Sequence, residues 1–109
     1  MNRMSLLNYF RTYSDKGLKQ IITEVKSEKI VLAGELYEVT VYIQNISTFE
    51  LSDILFKADD VDVSIVPEKF RYMKPKEVVP LKVVWKPKTT RETALNTKIL
   101  ADFKVIIRP

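Results

Sequence analysis

This chain contains no cysteine and no histidine. Without cysteine there is no disulfide, no thiolate nucleophile and no zinc–thiolate site. Without histidine, the commonest general base and the commonest transition-metal ligand are missing. Catalysis would fall to carboxylates, lysine or tyrosine, and no motif gathers these into a nucleophile–base pair or a phosphate loop. Only two glycines are present. That number argues against a closed barrel, whose corners usually need more. No run approaches the ~20 apolar residues of a membrane-spanning helix. The opening MNRMSLLNYFRTYSDKG lacks the apolar stretch of a signal peptide. These absences predict a non-enzyme with no cofactor and no transmembrane segment. They predict a cytoplasmic location by default and, with Met at the start, a complete small protein.

What is present fits one globular domain. The chain has 109 residues, 46% of them hydrophobic. Such a chain buries roughly two-thirds of the surface its unfolded form exposes, so it needs no metal or cross-link to hold together. Eighteen basic against fourteen acidic residues give a net charge of +4. That mild excess permits an anionic partner, although mixed charge of this kind mostly serves solubility. Abundant Lys, Glu and Ile point to a thermophilic habitat.

The hydrophobic period divides the chain. Residues 5–14 read as a short helix, capped by Ser5, with Leu6, Phe10 and Tyr13 near one face and Gly17 as its end signal. Residues 1–17 are therefore expected to form a helical segment in front of a β-sandwich domain over 18–109. From residue 18 the period is two. LKQIITEVK reads as a strand with Ile21 and Val25 on one face, and KIVL continues it after a break. Residues 33–47 are the most regular stretch, and Leu36 to Asn45 reads as its strand, with Tyr37, Val39, Val41 and Ile43 on one face and Glu38, Thr40 and Gln44 on the other. LSDILFK, VDVSIV, KFRYM, VVPLKVVW and TKILADFKVII follow as strands. The inward sets include Val61, Val63 and Ile65, then Val79, Leu81, Val83 and Trp85, and finally Ile99, Ala101, Phe103, Val105 and Ile107. Pro80 has no amide hydrogen, which suggests an edge strand or a bulge. Seven or eight short strands with one wet face each predict an all-β, antiparallel two-sheet sandwich.

Two stretches resemble known folds. AGELYEVTVYIQNIS resembles the Gly-Glu, alternating strand, Asn-x-Ser/Thr pattern of CARDB-type and related immunoglobulin-like domains. VSIVPEKFRYMKPKEVVPLKVVWKP is similar to the strand–Pro–strand–Pro-x-Glu–strand–Pro stretch of major-sperm-protein and ASH-type sandwiches. The resemblance implies an immunoglobulin-like β-sandwich serving adhesion, scaffolding or protein docking. It supplies no ligand-binding residues.

Three sets of candidate partner residues can be written. RMSLLNYF looks like a sliding-clamp binding box, with Leu6, Tyr9 and Phe10 as anchors and Arg3 in place of the usual leading Gln. The plainer reading is an amphipathic helix covering the sandwich. Leu36, Tyr42, Val84, Leu100 and Ile106 alternate out of phase with the core and predict an apolar outer face that binds a protein partner or a second copy of the chain. KFRYMKPK interleaves cations with rings, and Lys69, Arg71, Lys82, Lys86 and Lys104 would line a basic stripe if their strands adjoin. A nucleic-acid-associated protein is thus the alternative to a protein-interaction module. Asp53, Asp59, Asp60 and Asp62 lack calcium-loop spacing and read as turn chemistry. Asn45-Ile46-Ser47 is a glycosylation acceptor sequence, and its plain reading is a strand-end cap.

Overall fold

The computed structural model describes residues 9–27, 30–89 and 94–107, and the backbone of residues 2–3. Apart from the helical Tyr9, the regular structure among them is all strand: β1 (Asn2–Arg3), β2 (Phe10–Tyr13), β3 (Ile21–Ile22), β4 (Val25–Lys26), β5 (Tyr37–Asn45), β6 (Glu50–Ala58), β7 (Val63–Val66), β8 (Lys69–Met73), β9 (Val78–Trp85), β10 (Asn96–Thr97) and β11 (Ile99–Ile106). A five-stranded sheet has the order β3-β2-β5-β9-β7, and a four-stranded sheet the order β1-β11-β6-β8. β4 and β10 form a separate two-stranded ribbon. Every pairing is antiparallel.

The two larger sheets pack face to face because each turns its apolar residues to the same side. β5, β9 and β7 contribute Val41, Ile43, Val79, Leu81, Val83 and Ile65, while the other sheet contributes Leu51, Ile54, Phe56, Met73, Ile99, Ala101 and Phe103. Phe10 of β2 lies edge-on to Phe56 at 5.3 Å and to Phe103 at 5.2 Å, so one ring joins both sheets. Such edge-to-face contacts add to the burial itself.

Two irregularities keep the ladders consistent with the sequence. In β6 the register against β11 shifts between Asp102 and Lys104, where Asp53 takes a φ of 50°. The extra residue moves the inward phase from Leu51 to Ile54 and Phe56, which LSDILFK could not satisfy by strict alternation. Pro80 lies in an interior strand but beyond the reach of β7, so it holds the predicted edge position locally. The Asn45 N–H donates to Glu77 C=O at 3.0 Å, and alternation then turns the backbone nitrogen of residue 80 away from β5. On that side β7 reaches only as far as Lys82, so the missing N–H breaks no ladder bond.

Of the predicted front helix, only Tyr9 is helical among the described residues. Phe10–Tyr13 is a strand paired with β5, and residues 5–8, including Ser5 and Leu6, lie outside the described residues. No boundary falls at residue 17, since β2 is a member of the five-stranded sheet. LKQIITEVK splits into β3 and β4 at a bend, with Ile21 exposed and Val25 buried. Ile30, Val31 and Leu32 of KIVL form no strand, yet Val31 is buried. Val61, expected inward, is 96% exposed, and Ile107 is 77% exposed. Both lie just beyond a strand end, where pleat alternation no longer fixes a side chain's direction.

Candidate interaction surface

One end of the sandwich is built around Trp85. Its ring is fully buried with Val31 and Leu95, and Tyr37 and Val63 pack against this group. Three connections converge here. Gly34 N–H donates to Pro87 C=O at 3.1 Å, and Lys86 N–H donates to Asp62 C=O at 3.3 Å. Ser27 N–H donates to Leu95 C=O at 3.1 Å, and the Leu95 N–H returns to Ser27 Oγ at 2.8 Å. Gly34 has a φ of +84°, a left-handed conformation that a side chain would strain. That turn lets residues 30–36 fold back, with Val31 inserted and Ile30, Leu32 and Leu36 facing water. Leu36 is 60% exposed, and Val61 projects from the neighbouring turn. Four aliphatic side chains thus decorate backbone tied to the β9 exit.

The acidic residues beside this end do turn work. Asp59 accepts from Thr97 Oγ1 at 2.7 Å and from Lys98 N at 2.9 Å, and Asp60 accepts from Asp62 N at 2.9 Å. The Thr97 hydroxyl, helped by the Lys98 amide, holds the Asp59 carboxyl below its ordinary value of 3.8. A depressed folded pKa adds stability above the unfolded value, and that stability disappears as pH falls through the folded one. Asp59→Asn will therefore flatten the acid limb of a stability–pH profile below about pH 4. The effect on so exposed a group will be on the order of 0.5 kcal/mol after screening. Urea titrations of both chains from pH 7 to pH 2 measure it, and parallel acid limbs would contradict the assignment.

The sequence-predicted sets are rearranged. Phe10 is 1% exposed in the core, and Tyr9 packs on Phe103 at 5.0 Å, so neither ring is available as a clamp anchor. Leu6 lies outside the described residues. The outer-face set divides between the sheets. Tyr42 and Val84 lie on the outside of the five-stranded sheet, separated by the Lys82–Glu38 ion pair at 3.1 Å. Leu100 and Ile106 belong to β11 in the other sheet, and Leu36 precedes β5 at the Trp85 end. The basic stripe divides likewise. Lys69, Arg71 and Lys104 belong to the four-stranded sheet, Lys82 to the five-stranded one, and Lys86 follows the latter's β9. Lys104 is engaged by Asp53 at 3.3 Å. The strands the stripe needs side by side are not neighbours.

One feature had no sequence signal. An open groove of about 340 Å³ runs over β6 and β8, lined by Asp53, Ile54, Leu55, Lys69, Phe70 and Arg71. Asn45 is completely buried, its Nδ2 donating to Phe49 C=O at 2.8 Å and to Met73 C=O at 3.3 Å. It is the strand-end cap read from the sequence, and its amide is shielded from glycosylation in the folded chain. Among the described residues no cluster of carboxylates has the form of a metal site, and no helix is long and apolar enough to cross a membrane. No family model, curated protein or solved structure matches the chain.

Proposed function

We infer that the chain is an immunoglobulin-like β-sandwich that acts without catalysis, as a protein-interaction module of scaffold or adhesion type. The observation that carries this reading is the apolar end at Ile30, Leu32, Leu36 and Val61, all exposed on loops tied to the backbone around Trp85. Aliphatic groups held in water gain free energy when a partner covers them. Backbone already fixed by hydrogen bonds loses little further entropy on binding. Loops presented by a rigid sandwich are the usual place for recognition.

The immunoglobulin-like assignment is supported by strand order. β2-β5-β9-β7 corresponds to the A-B-E-D sheet of such domains, and the β6–β11 pairing corresponds to C with F. β8 occupies the far side of the C position, and the two-residue β1 occupies the place of G.

The combined variant Leu32→Lys, Leu36→Lys, Val61→Lys tests the reading. Its stability will stay within about 0.5 kcal/mol of the parent, because all three side chains are already in water. Crosslinked partners recovered with the parent chain will be lost from the variant. Sedimentation of both chains separates a foreign partner from a second copy: a parent dimer that becomes a monomer in the variant identifies self-association. Unchanged partner recovery and unchanged mass would remove this end as the docking surface. Deleting residues 1–16 is not a usable alternative, since it removes β2 and Phe10 from the core.

A further inference from the structure

The outer face of the four-stranded sheet distributes its charge unevenly. Cross-strand register sets Lys69 of β8, Leu55 of β6 and Asp102 of β11 in one row. Two residues along, Lys57 of β6 lies opposite Leu100 of β11. Residues directly opposite each other share a face, so Leu55 and Leu100 are diagonal neighbours on it. Both are half-buried, while the alternate residues Phe56, Ile99 and Ala101 belong to the core. Leu55 also lines the open 340 Å³ groove, together with Phe70, Lys69 and Arg71.

The cations gather on the β6–β8 side. Lys57, Lys69 and Arg71 are exposed, and none takes part in an ion pair among the described residues. The carboxylates are offset or displaced. Asp53, the only one in the groove, pairs with Lys104 at 3.3 Å, and Asp102 lies across Leu55 on β11. The groove thus joins an aliphatic wall to two cations whose charge nothing in it balances. We propose that it docks an acidic segment of a partner protein, with an aliphatic side chain covering Leu55 and flanking carboxylates meeting Lys69 and Arg71. Arg71 can hold a carboxylate through two parallel N–H···O bonds, and Lys69 acts as a point charge.

Charge and ring placement separate this occupant from the others. A second copy docking through the same groove sets the same cations against each other, because a two-fold interface uses one patch twice. Nucleic acid meets Asp53 and Asp102 among the cations, so no continuous phosphate track crosses the sheet. The Phe70 ring lies edge-on to the Phe56 ring of the core at 5.8 Å, which leaves it poorly placed to stack on a base. A phosphate backbone also leaves Leu55 and Leu100 uncovered.

The experiment is an NMR titration of the full chain that follows its backbone amide shifts. The probes are the peptide Thr-Glu-Thr-Leu-Thr-Glu-Thr, whose Glu and Leu side chains share one face when extended, the same peptide with Lys for Glu, and single-stranded oligothymidylate. The Glu peptide will give saturable shifts at Leu55, Lys69, Phe70 and Arg71, and the Lys peptide none. Lys69→Gln combined with Arg71→Gln will weaken the Glu peptide about tenfold or more. Arg71→Lys will weaken it about threefold, since the charge stays and the paired hydrogen bonds go. Replacing the peptide's Leu by Thr will weaken binding to the parent about fivefold and leave binding to a Leu55→Thr chain unchanged, which assigns the apolar contact to that pair. If Leu55→Thr fails to fold, the charge variants still decide, because their side chains are already in water. The proposal is overturned if the Glu peptide gives no shifts at the groove, or if the Lys peptide binds equally. It is also overturned if only the oligonucleotide binds, with steep salt dependence, or if sedimentation shows a parent dimer that the double Gln variant dissolves. Each of these outcomes leaves the Trp85-end reading untouched, because no substitution here touches Ile30, Leu32, Leu36 or Val61.

Discussion

Phe10→Ala will destabilise the chain by about 3–5 kcal/mol, the range for removing a buried aromatic from a core. The ring is 1% exposed and touches Phe56 and Phe103 of the opposite sheet, so its loss opens a cavity between the layers and not at a rim. Both edge-to-face contacts go with it. For a domain of this size each kcal/mol moves the melting temperature by several degrees, so a fall on the order of 20 °C is expected. Thermal unfolding followed by Trp85 fluorescence measures it, since Trp85 is the only tryptophan and is fully buried. The result also decides between two uses of the same residue. A clamp anchor sits on the surface, and its removal leaves stability nearly unchanged. A shift under about 1 kcal/mol would mean that β2 is not docked and would restore Phe10 as a partner contact.

This residue shows why Phe10–Tyr13 reads as helix in the sequence although it is a strand. Phe10 and Tyr13 are both buried, three positions apart, which is helical spacing. In the strand they face opposite sides: Phe10 enters the core, and Tyr13 lies opposite Tyr42 with its hydroxyl donating to Gln44 Oε1 at 3.1 Å. A four-residue strand with both faces covered shows no period of two. β5, β9 and β11 are eight or nine residues long, and their alternation was legible because each turns one face toward water. The phase shift in β6 was not legible, since it depends on a bulge at Asp53 that pairing with β11 imposes.

The same distinction explains the site. Tyr42 and Ile106 are correctly out of phase with the core, but whether they share a surface depends on which strands pair across the chain, and local alternation carries no such information. Leu36 was legible as outward-facing. Ile30 and Leu32 were hidden because KIVL read as a strand, although of residues 30–32 only Val31 turns inward.

Asn45 concentrates the turn chemistry of the other end of the sandwich, and replacing it will have an effect comparable to that of Phe10. Its Oδ1 accepts from Ser47 N at 3.0 Å and from Ser47 Oγ at 2.7 Å, while Nδ2 serves Phe49 and Met73. Its backbone joins the facing turn through Lys76 N–H to Asn45 C=O at 2.7 Å. That turn holds Lys76 at a φ of 67°, which a non-glycine residue tolerates only where the surroundings impose it. One side chain thus links the β5–β6 loop to the end of β8, next to the turn into β9. Asn45→Ala removes all four side-chain bonds and takes the donor from the buried Met73 carbonyl, while the Phe49 carbonyl keeps the Ser47 hydroxyl, at a cost of about 3 kcal/mol. Asn45→Asp keeps the shape and the Ser47 bonds but turns an oxygen toward two carbonyl oxygens. At neutral pH the introduced carboxylate is buried without a cation, so the loss should exceed that of Asn45→Ala. Burial and the facing carbonyls raise the folded pKa of that carboxyl above its unfolded value. Its penalty therefore shrinks as pH falls through the folded pKa, where the protonated acid can donate to Phe49 C=O. Urea unfolding of the parent and both variants at pH 7 and pH 4.5 measures this. A penalty for Asn45→Asp that is the same at both pH values would mean that the side chain does not donate to the two carbonyls.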